Sequence, residues 1–438
     1  MKQRLGIIVE FGFHDLKKYI YSGFGSKLGE HFNIVWLAIQ KNSEEFDRLF
    51  RETGYPIIYF DKDDFKVSGK TENHNTSVRR AWMNRKNLGQ FHNYKTIEPG
   101  FLRSFVLGNE LIKRYYENKT LNLIEKKYYN QEISTFIEKH KIDILLGTGY
   151  SSAFSKSVFI TGNRKKLPCF LLINNWKDIY VNNFIPFRFL AGLFVWDEKM
   201  KNDCLIHMPY LEPDKLIISG NPVFDFLKTS VPLHDRQFYA RKYKIDPNAD
   251  WLYYTMMSPL AGTNEIDTVI AVGEALQKKC KKEEKVILLR RNPQHNVTDF
   301  TDIKLPDNVV LTDHYSYFDK IKDMHTQSPE GEQEWIDLLH HCCLNLSVPS
   351  TVTLEFLTLN KPVINIGFDH NGIPDKRLKQ HFEAGFYRPM FDNSLVKKAM
   401  HIDDAVELIL NDHLEDNLLK EKELNMIFAS DLLIQAIK

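Results

Sequence analysis

The sequence predicts an α/β protein of two doubly wound domains, each a parallel sheet with helices on both faces. The chain has 438 residues, which is more than one hydrophobic core usually accommodates. Short apolar β-branched runs alternate with amphipathic helical stretches in two successive series, and this alternation is typical of βαβ units. A composition of 43% hydrophobic and 26% charged residues is that of a folded, soluble protein.

The first series predicts an N-terminal Rossmann-like domain over residues 1–225. Its strands read "RLGIIVEF", "NIVWLAI" and "PIIYF", and the intervening "SEEFDRLFRETG" has the serine cap, early acids and glycine stop of a helix. The alternation lapses at about residues 61–105, where the polar and basic "SVRRAWMNRKNLGQFHNYK" predicts an insertion.

The second series predicts a C-terminal Rossmann-like domain over residues 226–425, followed by a helical tail at 426–438. Its strands include "WLYYTMM", "KVILLRR", "CLNLSV" and "PVINIG". Ligands of doubly wound sheets bind outside the carboxyl ends of the strands. The residues that follow each strand are therefore the candidates for function.

Charge and cysteine content argue against several classes of protein. A net charge of +1 provides no global field for nucleic acid, so we expect no nucleic-acid partner. Five scattered cysteines show no zinc spacing, so we expect no metal site and a reducing, cytoplasmic location. The start "MKQRLGIIVEFGF" is interrupted by Glu10 and lacks a cleavage site, which predicts a strand rather than a signal peptide. No apolar run is long enough to span a bilayer.

Arginine and hydroxyl side chains follow three predicted strands of the C-terminal domain. Arg290 and Arg291 close "KVILLRR", and the planar donor fork of arginine suits phosphate, although a loop ion pair explains each equally well. Helix starts with hydroxyl groups also bind phosphate, although an ordinary helix cap is the simpler explanation for any one of them. The hydroxyl candidates after the other two strands are Ser258, Ser347, Ser350 and Thr351.

Glu355 is the only charged residue in "LSVPSTVTLEF". A buried carboxylate is costly unless hydrogen-bond donors surround it. A ribose diol supplies two such donors, so Glu355 is a candidate ribose contact. The alternative, a capping box, fits poorly because Val352 stands three residues before it.

Glu10, His14 and Asp15 follow the first predicted strand of the N-terminal domain. A histidine beside an aspartate can supply a general base. The alternative is an Asp15 helix cap beside a surface histidine. The exits "GTGYSS" and "NNWKD" are further candidates for holding an acceptor. Asp369 with His370 can contact the donor substrate or be solvated loop residues.

Segments between about residues 165 and 370 resemble GT-B glycosyltransferases that build bacterial surface polysaccharides such as capsule and lipopolysaccharide. "VWDE" and "IISGNPVFDF" are similar to that group's "VW-x-E" and "VTG-x-P-x-FD" elements, and "NNWKD" is similar to its "SWDN" element. "ILLRRNPQHN" is similar to the "R-x-HP" exit of CDP-glycerol transferases and UDP-GlcNAc 2-epimerases, except that Asn292 stands where those families carry His. "SVPSTVTLEFLTLNKPVI" is similar to the GT-B nucleotide-binding segment.

The resemblance implies a metal-independent glycosyltransferase whose two domains face each other across a cleft. The C-terminal domain would bind a nucleotide-sugar donor as substrate, without a cofactor. The phosphate contacts would be the arginine and hydroxyl candidates named above, and Glu355 would hold the ribose. The N-terminal domain would bind a glycan or lipid-linked acceptor and supply a base from His14 or Asp15, beside Glu10, if the enzyme inverts. Peripheral contact with the inner membrane, the stereochemistry and the oligomeric state stay open.

Three other functions stay open as well. A UDP-GlcNAc 2-epimerase of the same fold would need no second substrate. A CDP-polyol phosphotransferase would transfer a polyol phosphate instead of a sugar. A non-catalytic nucleotide- or sugar-binding protein would bind the same ligands without turnover.

Overall fold

The computed structural model consists of two compact units, each with its own parallel sheet. It describes residues 2–10, 12–39, 44–61, 65, 78, 81–82, 109–149, 152–180, 187–258, 264–281, 284–292, 300, 302–312, 317–321, 324–375, 378, 382–383, 387–411 and 429–438. Among these, unit 1 comprises the residues up to 226 together with 429–438, and unit 2 comprises those from 227 to 411. The insertion predicted at 61–105 lies almost wholly outside the described residues.

Unit 1 contains a seven-stranded parallel sheet in the order β3-β2-β1-β4-β5-β6-β7. The strands are β1 (Arg4–Val9), β2 (Asn33–Ile39), β3 (Ile57–Phe60), β4 (Ile144–Gly147), β5 (Cys169–Leu172), β6 (Gly192–Val195) and β7 (Leu216–Ile218). Strands β1, β4, β5 and β6 are buried almost throughout, as expected where helices cover both faces of a sheet. The strand order reverses between β1 and β4, which makes their carboxyl ends the switch point of this sheet.

Helices connect these strands. They are α1 (Gly12–Asp15), a π-helix (Leu16–Tyr21), α2 (Phe24–His31), α3 (Glu44–Glu52), α4 (Glu110–Lys127), α5 (Gln131–Lys139), α6 (Ala153–Arg164), α7 (Glu198–His207) and α8 (Pro222–Thr229), with 3-10 turns at Asp178–Tyr180 and Pro213–Lys215. Polar side chains begin several of them; for example, Ser152 accepts a hydrogen bond from the Ser155 amide at the start of α6.

Unit 2 contains a six-stranded parallel sheet in the order β10-β9-β8-β13-β14-β15 and a separate hairpin of β11 and β12. The strands are β8 (Asp250–Thr255), β9 (Lys285–Arg290), β10 (Val309–Thr312), β11 (Tyr317–Ile321), β12 (Met324–Gln327), β13 (Leu344–Ser347), β14 (Val363–Ile366) and β15 (Val396–Ala399). The order reverses between β8 and β13, which pair in parallel with Tyr254 opposite Leu346. The carboxyl ends of these two strands are the switch point of unit 2.

The helices of unit 2 alternate with its strands. They are α9 (Arg236–Tyr243), α10 (Glu265–Gln277), α11 (Pro329–His341), α12 (Thr351–Thr358), α13 (Arg388–Phe391) and α14 (Ile402–Leu410). Helices α10 and α14 pack on one face of the sheet, where Val269, Val272 and Val406 join the core formed by the strands. Two parallel sheets with interleaved helices confirm the predicted α/β, two-domain fold class.

The last helix, α15 (Ala429–Ile437), belongs to unit 1. The buried Asp225 carboxylate accepts hydrogen bonds from the Ala429 amide at 3.0 Å and from the Ser430 amide at 2.8 Å. It thereby satisfies donors that the first turn of a helix otherwise leaves unpaired. Within the segment 426–438 that the sequence predicts as a separate tail, the described helix Ala429–Ile437 therefore belongs to the first unit.

Candidate functional site

The strand order of unit 2 brings together the three strand exits that the sequence singled out. Strands β9, β8 and β13 are neighbours, so Arg290, Ser258 and Ser347 follow adjacent carboxyl ends at the switch point. Arg290 and Ser347 are the last residues of their strands, and Ser258 is half-buried just beyond β8. The predicted grouping of these residues at one edge is therefore present in the structure.

The two arginines separate onto opposite faces of the sheet. The Arg290 guanidinium lies 3.8 Å from the ring centre of Trp335 on α11. The Arg291 guanidinium lies 5.4 Å from the ring centre of Phe300, which packs against the core on the α10 side. Successive side chains of a strand point to opposite faces. The two guanidinium groups therefore pack against different side chains, Trp335 for Arg290 and Phe300 for Arg291.

Ser347 takes part in a ladder of buried polar side chains on the α11 and α12 side. Its hydroxyl donates to the Asn345 amide oxygen at 2.8 Å. The Asn365 amide nitrogen donates to the Ser347 carbonyl at 3.2 Å and to the Thr353 hydroxyl at 3.2 Å. These bonds tie β13, β14 and α12 together, because buried polar groups need partners. Ser347 positions the start of α12, and its predicted phosphate contact stays a prediction.

The start of α12 has the features of an anion site. Ser350 is the N-cap residue with extended backbone, and its side chain makes no capping hydrogen bond to the helix. Ser350 and Thr351 are half-buried, so the first amide groups of the helix lie near the surface of unit 2. Helix N-termini attract negative charge through free N–H groups and the helix dipole. Glu355, on the same helix, is only 5% exposed.

A second buried carboxyl group, Glu265, lies at the same edge of the sheet. It is the first residue of α10 and is 4% exposed. The Met257 amide donates to its Oε2 at 2.6 Å, which ties the exit of β8 to the start of α10. Burial raises the pKa of Glu265 to about 8, although the Met257 amide and the nearby Tyr254 hydroxyl lower it. At neutral pH the group is therefore predominantly a neutral carboxylic acid.

A tight loop after β14 lies beside Glu265. The Asp369 amide donates to the Ile373 carbonyl at 2.9 Å, and the Gly372 amide donates to the Asp369 carbonyl at 2.9 Å. Gly372 has φ +76°, a conformation that favours glycine. Asp369 and His370 line the same cavity as Glu265. The loop thus holds a carboxylate and an imidazole at the switch-point edge of unit 2.

The three catalytic candidates of unit 1 lie together after β1, but two of them are engaged in backbone contacts. Asp15 is fully buried and accepts from the Glu10 amide at 2.7 Å and from the Thr148 hydroxyl at 3.3 Å. Glu10 accepts from the Ser155 amide at 3.0 Å, at the N-terminus of α6, where the helix dipole favours its charge. These contacts join the exits of β1 and β4.

His14 lies in a positively charged environment. Burial, together with the charges of Lys18, Lys17 and Lys177, lowers the pKa of His14 to about 4. The imidazole is therefore neutral at pH 7 and can accept a proton only weakly.

Lys18 and Asp178 complete this cluster; Asp178 belongs to the "NNWKD" exit that was a candidate for holding the acceptor, whereas Lys18 was not predicted. The Lys18 ammonium donates to the Asn174 side chain at 2.6 Å, next to the exit of β5. Burial lowers the pKa of Lys18 to about 8, while Asp15 and Asp178 favour its charged form. Burial raises the pKa of Asp178 to about 6, although the Asn175 amide donates to it. An acid and a base that titrate near neutrality at a switch point are typical of functional sites.

Lys18 and Glu265 were not predicted from the sequence, whereas Asp178 lay within a predicted exit. Asp178 belongs to the quoted "NNWKD" exit, and the buried strand before it indicated an edge position. Glu265 reads as an ordinary acid in the first turn of a helix, where acids are common. Nothing in the local sequence distinguishes it, because its burial arises from tertiary packing.

The described residues contain neither a candidate membrane span nor a candidate metal centre. Among them, no helix is long and apolar enough to cross a membrane. No group of three or more His, Cys, Asp or Glu side chains in the same residues could hold a metal ion.

Comparison with known proteins finds similarity at the level of three-dimensional structure. No protein-family model matches the sequence, and no curated protein matches it. The UDP-GlcNAc 2-epimerase of Neisseria meningitidis bound to UDP-GlcNAc superposes with a TM-score of 0.58 at 12% identity, over 99% of each chain. S. aureus MnaA with UDP gives 0.56 at 11% identity, over 100% of this chain and 96% of that chain.

A third structure extends the likeness to an archaeal protein. The Methanocaldococcus jannaschii UDP-GlcNAc 2-epimerase in complex with UDP-GlcNAc and UDP gives a TM-score of 0.51 at 14% identity, over 99% of each chain. At such low identity the likeness shows the fold alone. The chain has the GT-B type of fold that its sequence resembles.

Proposed function

We propose that this protein is a glycosyltransferase that transfers a sugar from a nucleotide-activated donor to a glycan or lipid-linked acceptor in bacterial surface polysaccharide synthesis. The observation that carries the proposal is the start of α12. An N-cap serine that makes no capping bond and a buried carboxylate occur on one helix at the switch point of unit 2. Doubly wound sheets bind nucleotides at such points.

The phosphates of a nucleotide have counterparts at this edge. The amide groups at Ser350 and Thr351, with Ser258, suit the phosphates. Arg290 ends β9, which is separated from β13 by β8 alone, and it lies on the same face of the sheet as Ser347. It is therefore better placed than Arg291 to add positive charge near the phosphates. Together these groups would stabilise the negative charge that develops on the leaving phosphate.

Glu355 is assigned to the ribose. A carboxylate accepts hydrogen bonds from both hydroxyl groups of a vicinal diol. Such bonds would offset the cost of burying the Glu355 carboxylate, because only 5% of the residue is exposed. The structures of similar fold contain UDP or UDP-GlcNAc, which supports a nucleotide-sugar ligand of this kind.

Acid–base chemistry is assigned to the cluster of unit 1. Deprotonation of an acceptor hydroxyl is most efficient when the pKa of the base lies near the working pH. Asp178, with a pKa of about 6, meets this condition better than His14, with a pKa of about 4. We therefore keep His14 and Asp15 as candidates and add Asp178 as the better-matched base.

UDP-GlcNAc 2-epimerase is the second candidate function, because the structures that match along the whole chain carry that name. An epimerase needs no acceptor. Incubation of the protein with UDP-GlcNAc alone, followed by chromatography of the nucleotide sugars, would give UDP-ManNAc if this candidate holds. A glycosyltransferase would leave UDP-GlcNAc unchanged until an acceptor is added.

The nucleotide assignment is tested by thermal stability with UDP, GDP, CMP, CDP or dTDP at millimolar concentration. A ligand at 100 times its Kd stabilises the folded state by about 2.7 kcal/mol, which is a shift of several degrees. Glu355→Gln should weaken the stabilising nucleotide roughly 10- to 100-fold, as loss of hydrogen bonds to a charged group predicts. Glu407→Gln, at an exposed position on α14, is the matched control and should bind normally. Absence of stabilisation by every nucleotide would refute the proposal.

A further inference from the structure

A cavity of about 230 Å³ lies within unit 2, at the carboxyl ends of β8 and β14. Its polar wall is formed by the start of α10 and by the loop after β14. Its apolar wall is formed by side chains that follow β13 and β14, namely Val348, Ile366, Phe368 and Leu378. Asp369 and His370, which the sequence offered as donor contacts, line it, whereas the predicted phosphate and ribose residues do not, so it is distinct from the start of α12.

The polar wall is suited to hydroxyl groups and unsuited to phosphate. Asp369, Asp375 and His370 contribute hydrogen-bond acceptors, and Asn264 and Thr268 contribute an amide and a hydroxyl. Among the described lining residues there is no lysine or arginine, so the cavity supplies no positive charge for a phosphate. Hydroxyl groups can donate to the carboxylates, while the C–H face of a sugar ring can pack on the apolar wall.

Two buried polar groups in the cavity wall, Glu265 and Tyr254, can form further hydrogen bonds. Glu265 Oε1 and the Tyr254 hydroxyl make no hydrogen bond of good geometry in the described part of the chain, although the hydroxyl lies near the Glu265 carboxyl group and lowers its pKa. Tyr254 is fully buried, and Glu265 is 4% exposed. Buried polar groups are normally hydrogen-bonded, and leaving one without a partner costs about 1–3 kcal/mol. Glu265 and Tyr254 both line the cavity, so hydroxyl groups of a ligand there can add hydrogen bonds to them.

The size of the cavity limits its ligand. Sites for drug-sized ligands have volumes of about 300–1,000 Å³. At about 230 Å³ the cavity is too small for a whole nucleotide sugar and is suited to a single monosaccharide ring. Its position also fits a connection to the nucleotide site. Val348 lines the cavity and stands two residues before Ser350, which is a separation of at most about 7 Å along the chain.

We propose that this cavity binds the sugar ring of the nucleotide-activated donor, with Glu265, Tyr254 and Asp369 as the hydrogen-bonding partners of its hydroxyl groups. The inference rests on the proposed function and extends it, since these side chains would determine which sugar the protein accepts. The nucleotide itself is held elsewhere, at α12. Changes in the cavity should therefore alter affinity for the sugar part of the donor and leave affinity for the free nucleotide unchanged.

The test compares free nucleotides with their sugar conjugates by isothermal titration calorimetry. The pairs are UDP with UDP-GlcNAc, GDP with GDP-mannose, dTDP with dTDP-glucose, and CMP with CMP-N-acetylneuraminic acid. Thr268→Leu fills part of the cavity with an apolar side chain. Asp369→Asn keeps the shape of the side chain and removes a charge from the half-buried loop. It is the second test variant if Thr268→Leu fails to fold. Thr358→Leu is the matched control, because Thr358 likewise bonds the carbonyl four residues earlier in its helix and lies outside the described cavity wall.

The expected result is that the wild type and Thr358→Leu bind one sugar conjugate at least 10-fold more tightly than its free nucleotide. Thr268→Leu and Asp369→Asn should bind the free nucleotide equally well and lose that 10-fold gain. If the gain persists in both variants, or is absent from the wild type, the cavity is not the sugar site and the nucleotide assignment still stands. If the wild type binds no nucleotide and no conjugate, the proposed function fails and this inference fails with it.

Discussion

Glu265→Gln should abolish a pH dependence of stability that originates in one buried group. In the folded protein the pKa of Glu265 is raised from its ordinary value of 4.5 to about 8, chiefly by burial. Between these two values the folded chain retains a proton that the unfolded chain has released. The free energy of unfolding of unit 2 therefore falls as the pH rises through this window, and the loss is complete above pH 8. Glutamine is neutral at every pH and removes the effect.

The magnitude follows from the two pKa values. At about 1.4 kcal/mol per pKa unit, the separation between 4.5 and about 8 corresponds to roughly 5 kcal/mol. Because half of the Glu265 groups are still protonated at pH 8, the wild type should lose roughly 2 kcal/mol between pH 6 and pH 8 that the variant keeps. For domains of about 150–250 residues, 1 kcal/mol shifts Tm by about 2–4 °C. The Tm of the wild type should therefore fall roughly 4–8 °C more than that of Glu265→Gln.

The assay is the melting temperature of both proteins from pH 5 to pH 9 at constant ionic strength. Tyr254, Asp369, His370 and Asp375 border the same cavity, but they are present in both proteins and their titration largely cancels in the difference. Glu274→Gln, at an exposed position on the same helix, is the control and should follow the wild type. Parallel curves for the wild type and Glu265→Gln would refute the assignment of a buried neutral acid.

Two further substitutions test contacts that organise unit 1. Asp225→Ala removes the acceptor of the Ala429 and Ser430 amides, so α15 should lose roughly 1.5–3 kcal/mol and exchange its amide hydrogens faster, as hydrogen-exchange mass spectrometry would show. Gly149→Ala would place a Cβ 1.8 Å from Glu10 Oε2, so Glu10 must move away from the start of α6. Such overpacking typically costs about 1–3 kcal/mol, which denaturant unfolding measures.

Each of these substitutions has a matched comparison. Asp235→Ala removes an ordinary surface cap of α9, with a cost of about 1 kcal/mol, and should leave exchange in α15 unchanged. The double variant Glu10→Ala with Gly149→Ala should be less destabilised than the sum of the single variants, because the clash partner is gone. Strict additivity would show that Gly149 and Glu10 do not interact.

The fold was largely predictable because burial on both faces leaves a clear pattern. The runs that form β1, β8, β9, β13 and β14 are nearly continuous in apolar residues, as parallel strands covered by helices require. Strand order was less accessible. Strand β8 pairs with β13, nearly a hundred residues later, through contacts such as Tyr253 opposite Asn345. Local sequence does not encode such a pairing.

The site was predictable in part. A strand exit is a local property, so Ser258, Arg290 and Ser347 were named correctly as edge residues. Side chains alternate between the two faces of a strand, which predicts that Arg290 and Arg291 point to opposite faces. The two arginines were nevertheless predicted as a pair. Their phosphate contacts, and those of Ser350 and Thr351, remain predictions.

The sequence by itself determined that the chain forms two parallel α/β units and that Glu355 enters a buried segment, because hydrophobic periodicity reports burial directly. Only the tertiary structure decided that Glu265 and Lys18 are buried ionisable groups near the switch points and that Asp178 lies beside Lys18. Their pKa values depend on desolvation by elements far away in the chain. An acid in the first turn of a helix has the same local sequence whether water or a folded loop covers it.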